Sequence, residues 1–257
     1  MEVWTLGDGD PEITVVGAVH GDEPCGARAI ERILAEDPPI QRPTAFVVAN
    51  EKALREGTRY VDVDLNRVMP GDPSADAHER RLAADLVEQV SGTLTLGIHS
   101  TQSWDGTFGV LSEPTERKRA LFDRTHVSRV IDTTAISEGR CVDQPQFVDV
   151  EVGPQGTERA TDRAMRATRS FLQATDTLPS EPADTATEYY EVTGILEKDP
   201  GATYEFLAPN FERVSPGETY ARKDGDPLVA DAGFWPVLAS GSGHDTILGY
   251  RAQRRGE

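Results

Sequence analysis

Through its first three-quarters the chain alternates short apolar runs with segments of helical period, and that alternation restricts it to an α/β layer fold. Ile13–Val19 is apolar except at Thr14, the composition of a buried strand. Pro24–Glu36 follows with Ala27, Ile30, Ile33 and Leu34 on one helical face, and Pro24 suits a first turn, where its missing N–H costs nothing. Thr44–Ala49 reads as a second strand. Asp76–Ser91 reads as an amphipathic helix, because Leu82, Ala83, Leu86, Val87 and Val90 recur at helical spacing. Strand-like runs return at Leu94–Ile98, Phe108–Leu111 and Phe147–Val152, and Arg159–Gln173 gathers Ala164, Thr168, Phe171 and Leu172 on a shared face.

The pattern changes at Asp176–Thr187, a run of mostly Asp, Thr, Pro, Ser, Glu and Ala with little to bury. Beyond it, Tyr189–Leu196, Glu205–Leu207, Leu228–Val229, Phe234–Leu238 and Thr246–Tyr250 are short apolar segments separated by Gly, Pro and Asp turns, which predicts a small β-rich unit. The expected organisation is a domain over 1–178, a linker or loop over 179–187 and a β-rich domain over 188–257. A length of 257 residues suffices for one large core with a small second one.

Composition narrows the partners. The chain carries 44 acidic against 26 basic residues, a net charge of −18, and only Lys52, Lys118, Lys198 and Lys223 are lysines. Such a surface disfavours nucleic acid and anionic membranes, and it repels itself unless salt screens it. A salt-adapted intracellular protein is the expectation. No stretch approaches the roughly 18–20 apolar residues of a membrane span, and Met1–Thr5 has neither the basic nor the apolar region of a signal peptide. Two cysteines, Cys25 and Cys141, fit a reducing cytoplasm better than a disulfide framework.

Against this background His20-Gly21-Asp22-Glu23 stands out, directly behind the first strand-like run. Most isolated His-x-x-Glu pairs are solvated helix-end residues. Here both side chains fall just past the end of a buried strand, the edge at which open α/β sheets place ligands. Gly21 is expected to let the backbone turn tightly. His99 also follows a strand, so His20, Glu23 and His99 supply the two close ligands and one distant ligand usual for a catalytic metal site. The other histidines, His78, His126 and His244, are given no metal role. Between Arg59 and Arg67, two arginines and Asn66 are suited to gripping a carboxylate or facing an oxyanion. Glu151, at a strand end closed by Gly153-Pro154, can face a cleft as a general base, with Asp149 a weaker candidate.

Four motifs in this order, His20-Gly21-Asp22-Glu23, Arg59-Tyr60 through Asp64-Leu65-Asn66-Arg67, Ile98-His99-Ser100-Thr101 and Glu151-Val152-Gly153-Pro154-Gln155, resemble the succinylglutamate desuccinylase/aspartoacylase family, relatives of the zinc carboxypeptidases. The resemblance implies a carboxypeptidase-like mixed sheet flanked by helices, with a small C-terminal β-rich domain covering the site. It implies one Zn²⁺ per chain on His20, Glu23 and His99. Arg59 would polarise the scissile carbonyl, Asn66 and Arg67 would hold a substrate carboxylate, and Glu151 would act as general base. Arg140 stands where a second carboxylate-binding arginine is expected, and Tyr250 or His244 would close the pocket.

Two positions depart from the family pattern. Gly97 stands where an Asp often precedes the second His ligand, so support for the metal shell must come from another residue or from backbone carbonyls. Met69 stands where an aromatic residue is more usual. The expected activity is zinc-dependent hydrolysis of the amide or ester bond of a small N-acyl amino acid or related acidic carboxylate. The alternatives are a metallocarboxypeptidase acting on peptide C-termini and a non-catalytic metal- or carboxylate-binding protein. Assembly into a homo-oligomer stays open.

Overall fold

A computed structural model of the chain describes residues 1–136, 138–179 and 181–256. Ser137, Ser180 of the expected linker and Glu257 at the end of the expected C-terminal domain lie outside the described residues. The strands are β1 (Glu2–Leu6), β2 (Ile13–Gly17), β3 (Thr44–Val48), β4 (Leu94–His99), β5 (Phe108–Leu111), β6 (Arg129–Asp132) and β7 (Phe147–Glu151). After them come β8 (Glu188–Glu197), β9 (Tyr204–Phe206), β10 (Thr219–Lys223), β11 (Asp226–Val229), β12 (Trp235–Val237) and β13 (Ile247–Arg254). The α-helices are α1 (Cys25–Glu36), α2 (Glu51–Glu56), α3 (His78–Val90), α4 (Glu116–Asp123) and α5 (Glu158–Ala174).

Ten strands form one mixed sheet in the order β1-β3-β2-β4-β7-β5-β6-β8-β13-β12. Strand β2 lies parallel to both β3 and β4, and β4 parallel to β7. Because β3 lies on one side of β2 and β4 on the other, the winding reverses between β2 and β4. This is the topological switch point where a doubly wound sheet opens a crevice at its carboxyl edge. Beyond β6 the sheet continues into the C-terminal segment, for β8 pairs in parallel with β6 and then antiparallel with β13. Only β9, β10 and β11 form a separate, three-stranded sheet.

Side chains of β2 alternate between two layers, as the two-residue period of a strand requires. Ile13 and Val15 join a core with Ile30 and Ile33 of α1 and Phe171 of α5, whereas Val16 joins Leu82 and Leu86 of α3 on the other face. Each such fully buried aliphatic side chain contributes roughly 1.5–3 kcal/mol relative to an exposed one. The ladder of β2 ends at Gly17, two residues short of the apolar run, because Ala18 takes a left-handed φ of 52°. Ala18 and Val19 nonetheless stay buried.

Two glycines set the loop after β2. A Cβ on Gly17 would lie 2.5 Å from the carbonyl carbon of Gly26, so only glycine there lets the start of α1 approach the strand end. A Cβ on Gly21 would lie 2.1 Å from the backbone of Ala53 in α2. The backbone does turn tightly at Gly21, closed by the Glu23 amide donating to the His20 carbonyl at 3.2 Å, but close approach to α2 rather than a left-handed φ is what requires glycine there. The sequence signals for β1, α2, α4, β6 and β10 were too weak to predict these elements. Strand β1 is an edge strand with four of its five residues exposed, so it carries no burial pattern to read.

Candidate metal centre

His20, Glu23, His99 and Glu151 all stand at the carboxyl edge of parallel strands. His20 and Glu23 lie in the loop after β2, while His99 ends β4 and Glu151 ends β7. Register pairs His99 with Glu151 directly across the β4–β7 ladder. One ligand atom from each of His20, Glu23 and His99 falls within 4.8 Å of the others, and all three residues are buried. The carboxylate of Glu23 lies between the imidazoles: Oε1 is 2.8 Å from His20 Nδ1 and Oε2 is 3.1 Å from His99 Nδ1. The Ser100 amide also donates to Oε2 at 2.9 Å, which fixes the carboxylate plane.

Both imidazoles turn Nδ1 inward and Nε2 outward, and an acid stands behind each. Asp64 Oδ1 lies 3.0 Å from His20 Nε2, while Asp149 Oδ1 lies 3.7 Å from His99 Nε2. A carboxylate behind a ligating imidazole fixes its ring orientation and raises its basicity. Asp64 lies within the second motif, whose sequence assigns it no task. Its carboxylate in fact organises the corner, because Oδ2 accepts from Arg59 Nε at 3.1 Å and Oδ1 accepts from the Asn66 amide at 2.9 Å. Arg59 also reaches Glu23 Oε1 at 3.4 Å.

Electrostatics follow from burial and these contacts. Burial would raise the Glu23 carboxyl, but His20 and His99 outweigh it and hold the group well below the usual carboxylate range. Burial would lower His99, yet Asp149 and Glu23 lift its imidazole to about 10. His20 is raised in the same sense: burial lowers it, and Glu23 and Asp64 prevail. Asp149 is raised by burial against the pull of His99. Burial pushes Glu151 up to about 7, opposed by His99 and assisted by Glu23. Its Oε2 is buried without a hydrogen-bond partner, as is His99 Nε2. Two inward imidazole nitrogens around one ionised carboxylate are a donor set suited to a divalent metal.

The remaining predicted residues line the same cavity of about 180 Å³. That is below the roughly 300–1,000 Å³ of drug-sized sites, so the ligand it seats is small. Arg59, Asn66, Arg67, Arg140, His244 and Tyr250 all contribute to its wall. Asn66 Oδ1 accepts from the Cys141 amide at 2.7 Å, and Arg67 donates to the Asn66 carbonyl at 2.7 Å. Arg140 Nη2 donates to Tyr250 Oη at 3.3 Å. Burial and the nearby Arg140 lower the Arg67 guanidinium, which marks a spot short of negative charge. His244 is lowered by burial and by Arg67 and Arg59. Cys25 and Cys141 are free, buried thiols.

Residues 10–176 match the succinylglutamate desuccinylase/aspartoacylase catalytic domain, more than half of the chain. The chain belongs to that family. A succinylglutamate desuccinylase from Shewanella piezotolerans is 31% identical over 106 residues, which cover 35% of this chain and 30% of that protein. A probable aspartoacylase from Acaryochloris marina is 28% identical over 102 residues, 35% of each chain. The chain thus matches only about a third of the length of these curated relatives. In three dimensions the likeness extends further. A succinylglutamate desuccinylase/aspartoacylase from Rhodobacter sphaeroides superposes with a TM-score of 0.80 at 16% identity, covering 99% of this chain and 89% of the other. The fold is that of the succinylglutamate desuccinylase/aspartoacylase family from end to end, and the four motifs line its cleft.

A further residue emerges only from the structure. Glu79 of α3 is fully buried and accepts from the Val61, Asp62 and Val63 amides at 2.7, 3.0 and 3.1 Å, and from Asn50 Nδ2 at 3.0 Å. Burial would raise this carboxyl, but the backbone donors hold it down. It pins the segment between Arg59 and Asp64. A lone Glu at the start of a helix gives no sequence signal for such a task.

Proposed function

We propose that this chain is a zinc-dependent deacylase that hydrolyses the amide or ester bond of a small N-acylated amino acid or similar carboxylate. The convergence of His20 Nδ1 and His99 Nδ1 on the Glu23 carboxylate carries the reading. One zinc per chain would be held by these three residues and, when bound, would supply a Lewis acid that makes water nucleophilic near neutral pH.

The chain's own groups complete the chemistry. Glu151, buried and unpartnered at Oε2, takes a proton from the attacking water and returns it to the leaving amine or alcohol. Arg59, oriented by Asp64, faces the oxyanion that develops on the carbonyl oxygen. Arg67 and the side-chain NH₂ of Asn66 hold a carboxylate, with Arg140 supplying a second positive charge beside Tyr250. Because a charged carboxylate relieves the repulsion between Arg67 and Arg140, an acidic substrate is favoured over a neutral one.

In this proposal residues 1–178 carry the chemistry, 179–187 connect, and 188–257 cover the cleft. The acidic, lysine-poor surface suits a salt-rich cytoplasm. The test combines metal analysis of the purified protein with a panel of N-acetyl and N-succinyl amino acids beside blocked dipeptides, assayed in molar KCl. Near-stoichiometric zinc and turnover of an acidic N-acyl amino acid are expected. Metal-free protein that takes up no zinc, or turnover confined to dipeptides, would sink the proposal.

A further inference from the structure

Gly97 and Asp149 face each other across the β4–β7 ladder, two register positions before His99 and Glu151. A Cβ on Gly97 would lie 2.0 Å from Asp149 Oδ1 and 2.8 Å from Phe147 Cε1. Its φ is not in the left-handed region, so the backbone does not require glycine there. Space does. The Asp149 side chain fills the volume that any side chain at position 97 would need, and it brings a carboxylate oxygen toward the outer nitrogen of His99.

Two unpartnered atoms meet at that point. His99 Nε2 and Asp149 Oδ1 are both buried, and neither has a hydrogen-bond partner. They stand 3.7 Å apart, beyond hydrogen-bond length. A closure of about half an ångström brings the pair into range. The inward face of the ring is directed at Glu23, so Nε2 is the atom left for a second partner. On the opposite side of the centre His20 already has the matching arrangement, with Asp64 at 3.0 Å.

We propose that Asp149 is the positioning residue for His99, accepting a hydrogen bond from its Nε2–H, and that Gly97 is the companion vacancy without which Asp149 does not fit. The support expected from position 97 of β4 is thus delivered from the neighbouring strand. This rests on the reading of His99 as a ligand, so the experiment has two independent readouts. The first is zinc affinity, measured by competition with a chromogenic chelator for wild type, Asp149→Ala, Asp149→Asn and Gly97→Ala. The second is the ¹⁵N–¹H correlation of the His99 imidazole in the metal-free protein, with circular dichroism confirming the fold of each variant.

Loss of the carboxylate in Asp149→Ala should weaken zinc binding about 10–100-fold, the usual effect of removing a ligand's outer partner. Asp149→Asn, which keeps an acceptor oxygen, should fall between Asp149→Ala and wild type. Gly97→Ala should weaken binding while leaving the acid in the sequence, and adding it to Asp149→Ala should cost less than adding it to wild type, because the conflict with Asp149 is then gone and only that with Phe147 remains. The slowly exchanging His99 Nε2–H signal of wild type should vanish in Asp149→Ala. Wild-type zinc affinity together with unchanged His99 resonances in Asp149→Ala would overturn the assignment. If wild type took up no zinc while the His99 signal still depended on Asp149, the proposed function would fail and this pairing would stand.

Discussion

At the carboxyl ends of β2, β4 and β7 the cleft is built from ionised groups that hold one another, whereas β12, β13 and the segment joining them bring Leu238, Ser240, His244, Ile247 and Tyr250 to its opposite wall. On the first wall Glu23 is committed to two imidazoles and an amide, and Asp64 to His20, Arg59 and Asn66, while Glu151 Oε2, His99 Nε2 and Asp149 Oδ1 stay unpartnered. On the second wall Tyr250 Oη accepts from Arg140 Nη2 at 3.3 Å. The contrast teaches where different consequences of mutation should appear. Changes on the strand-end wall should alter metal content or turnover, and changes on the covering wall should alter substrate preference.

The sharpest test is His99→Ala, which removes one of the three proposed ligands. Zinc measured by atomic emission should drop from near one per chain to near zero, with activity lost alongside it. Retention of full metal content would break the comparison at its root. Glu151→Gln should keep the metal while kcat falls on the order of 10²–10⁴-fold. A variant that turned over at the wild-type rate would move the base to another residue. On the covering wall, Tyr250→Phe frees Arg140 from its phenol partner. It should change KM for acidic substrates by less than about tenfold, with kcat nearly constant, as expected when a uniform binding contact is altered.

Smaller effects concern stability. In chelator-treated protein His99 keeps its proton up to about pH 10, against an ordinary value of 6.5. Between those two pH values the folded state binds more protons than the unfolded state, so stability declines as pH rises through that window. The contribution is fully present below pH 6.5. Thermal melts from pH 6 to 10 should therefore show a falling Tm for the metal-free protein and a flatter curve for the zinc-loaded one, whose imidazoles are already deprotonated. The smallest change expected is a rise in Tm from dilute buffer to molar KCl, since a net charge of −18 is then screened. A Tm indifferent to KCl would remove the case for salt adaptation.

How much of this was readable beforehand depends on whether a residue's task is local. The strand ends that carry His99 and Glu151 follow apolar runs, and the sequence reading placed those ends to within one residue. His20 and Glu23 lie three residues apart and needed only the strand before them. The pairing of Asp149 with Gly97 was hidden, because it depends on register between strands separated by some fifty residues of chain, and alternation specifies a face without specifying a neighbour. Strand β6 and helix α4 escaped for a different reason. Helix α4 is short and buries Lys118 beside Leu121 and Phe122, so its periodicity is blurred. In the C-terminal segment the short strands other than β10 were legible, but the parallel pairing of β8 with β6 that continues the large sheet was not.

The Glu79 clamp has a consequence for how the cleft meets its ligand. Residues 61–63 follow no helix or strand, yet three successive amides are anchored to one carboxylate on α3. The stretch bearing Arg59 and Asp64 is thereby held in its working shape by the scaffold, so a solute arriving there finds its receptor already assembled. Ordering costs that would otherwise be subtracted from affinity are met during folding. By the same logic, damage to helix α3 would be felt as a loosened setting of Arg59 and Asp64.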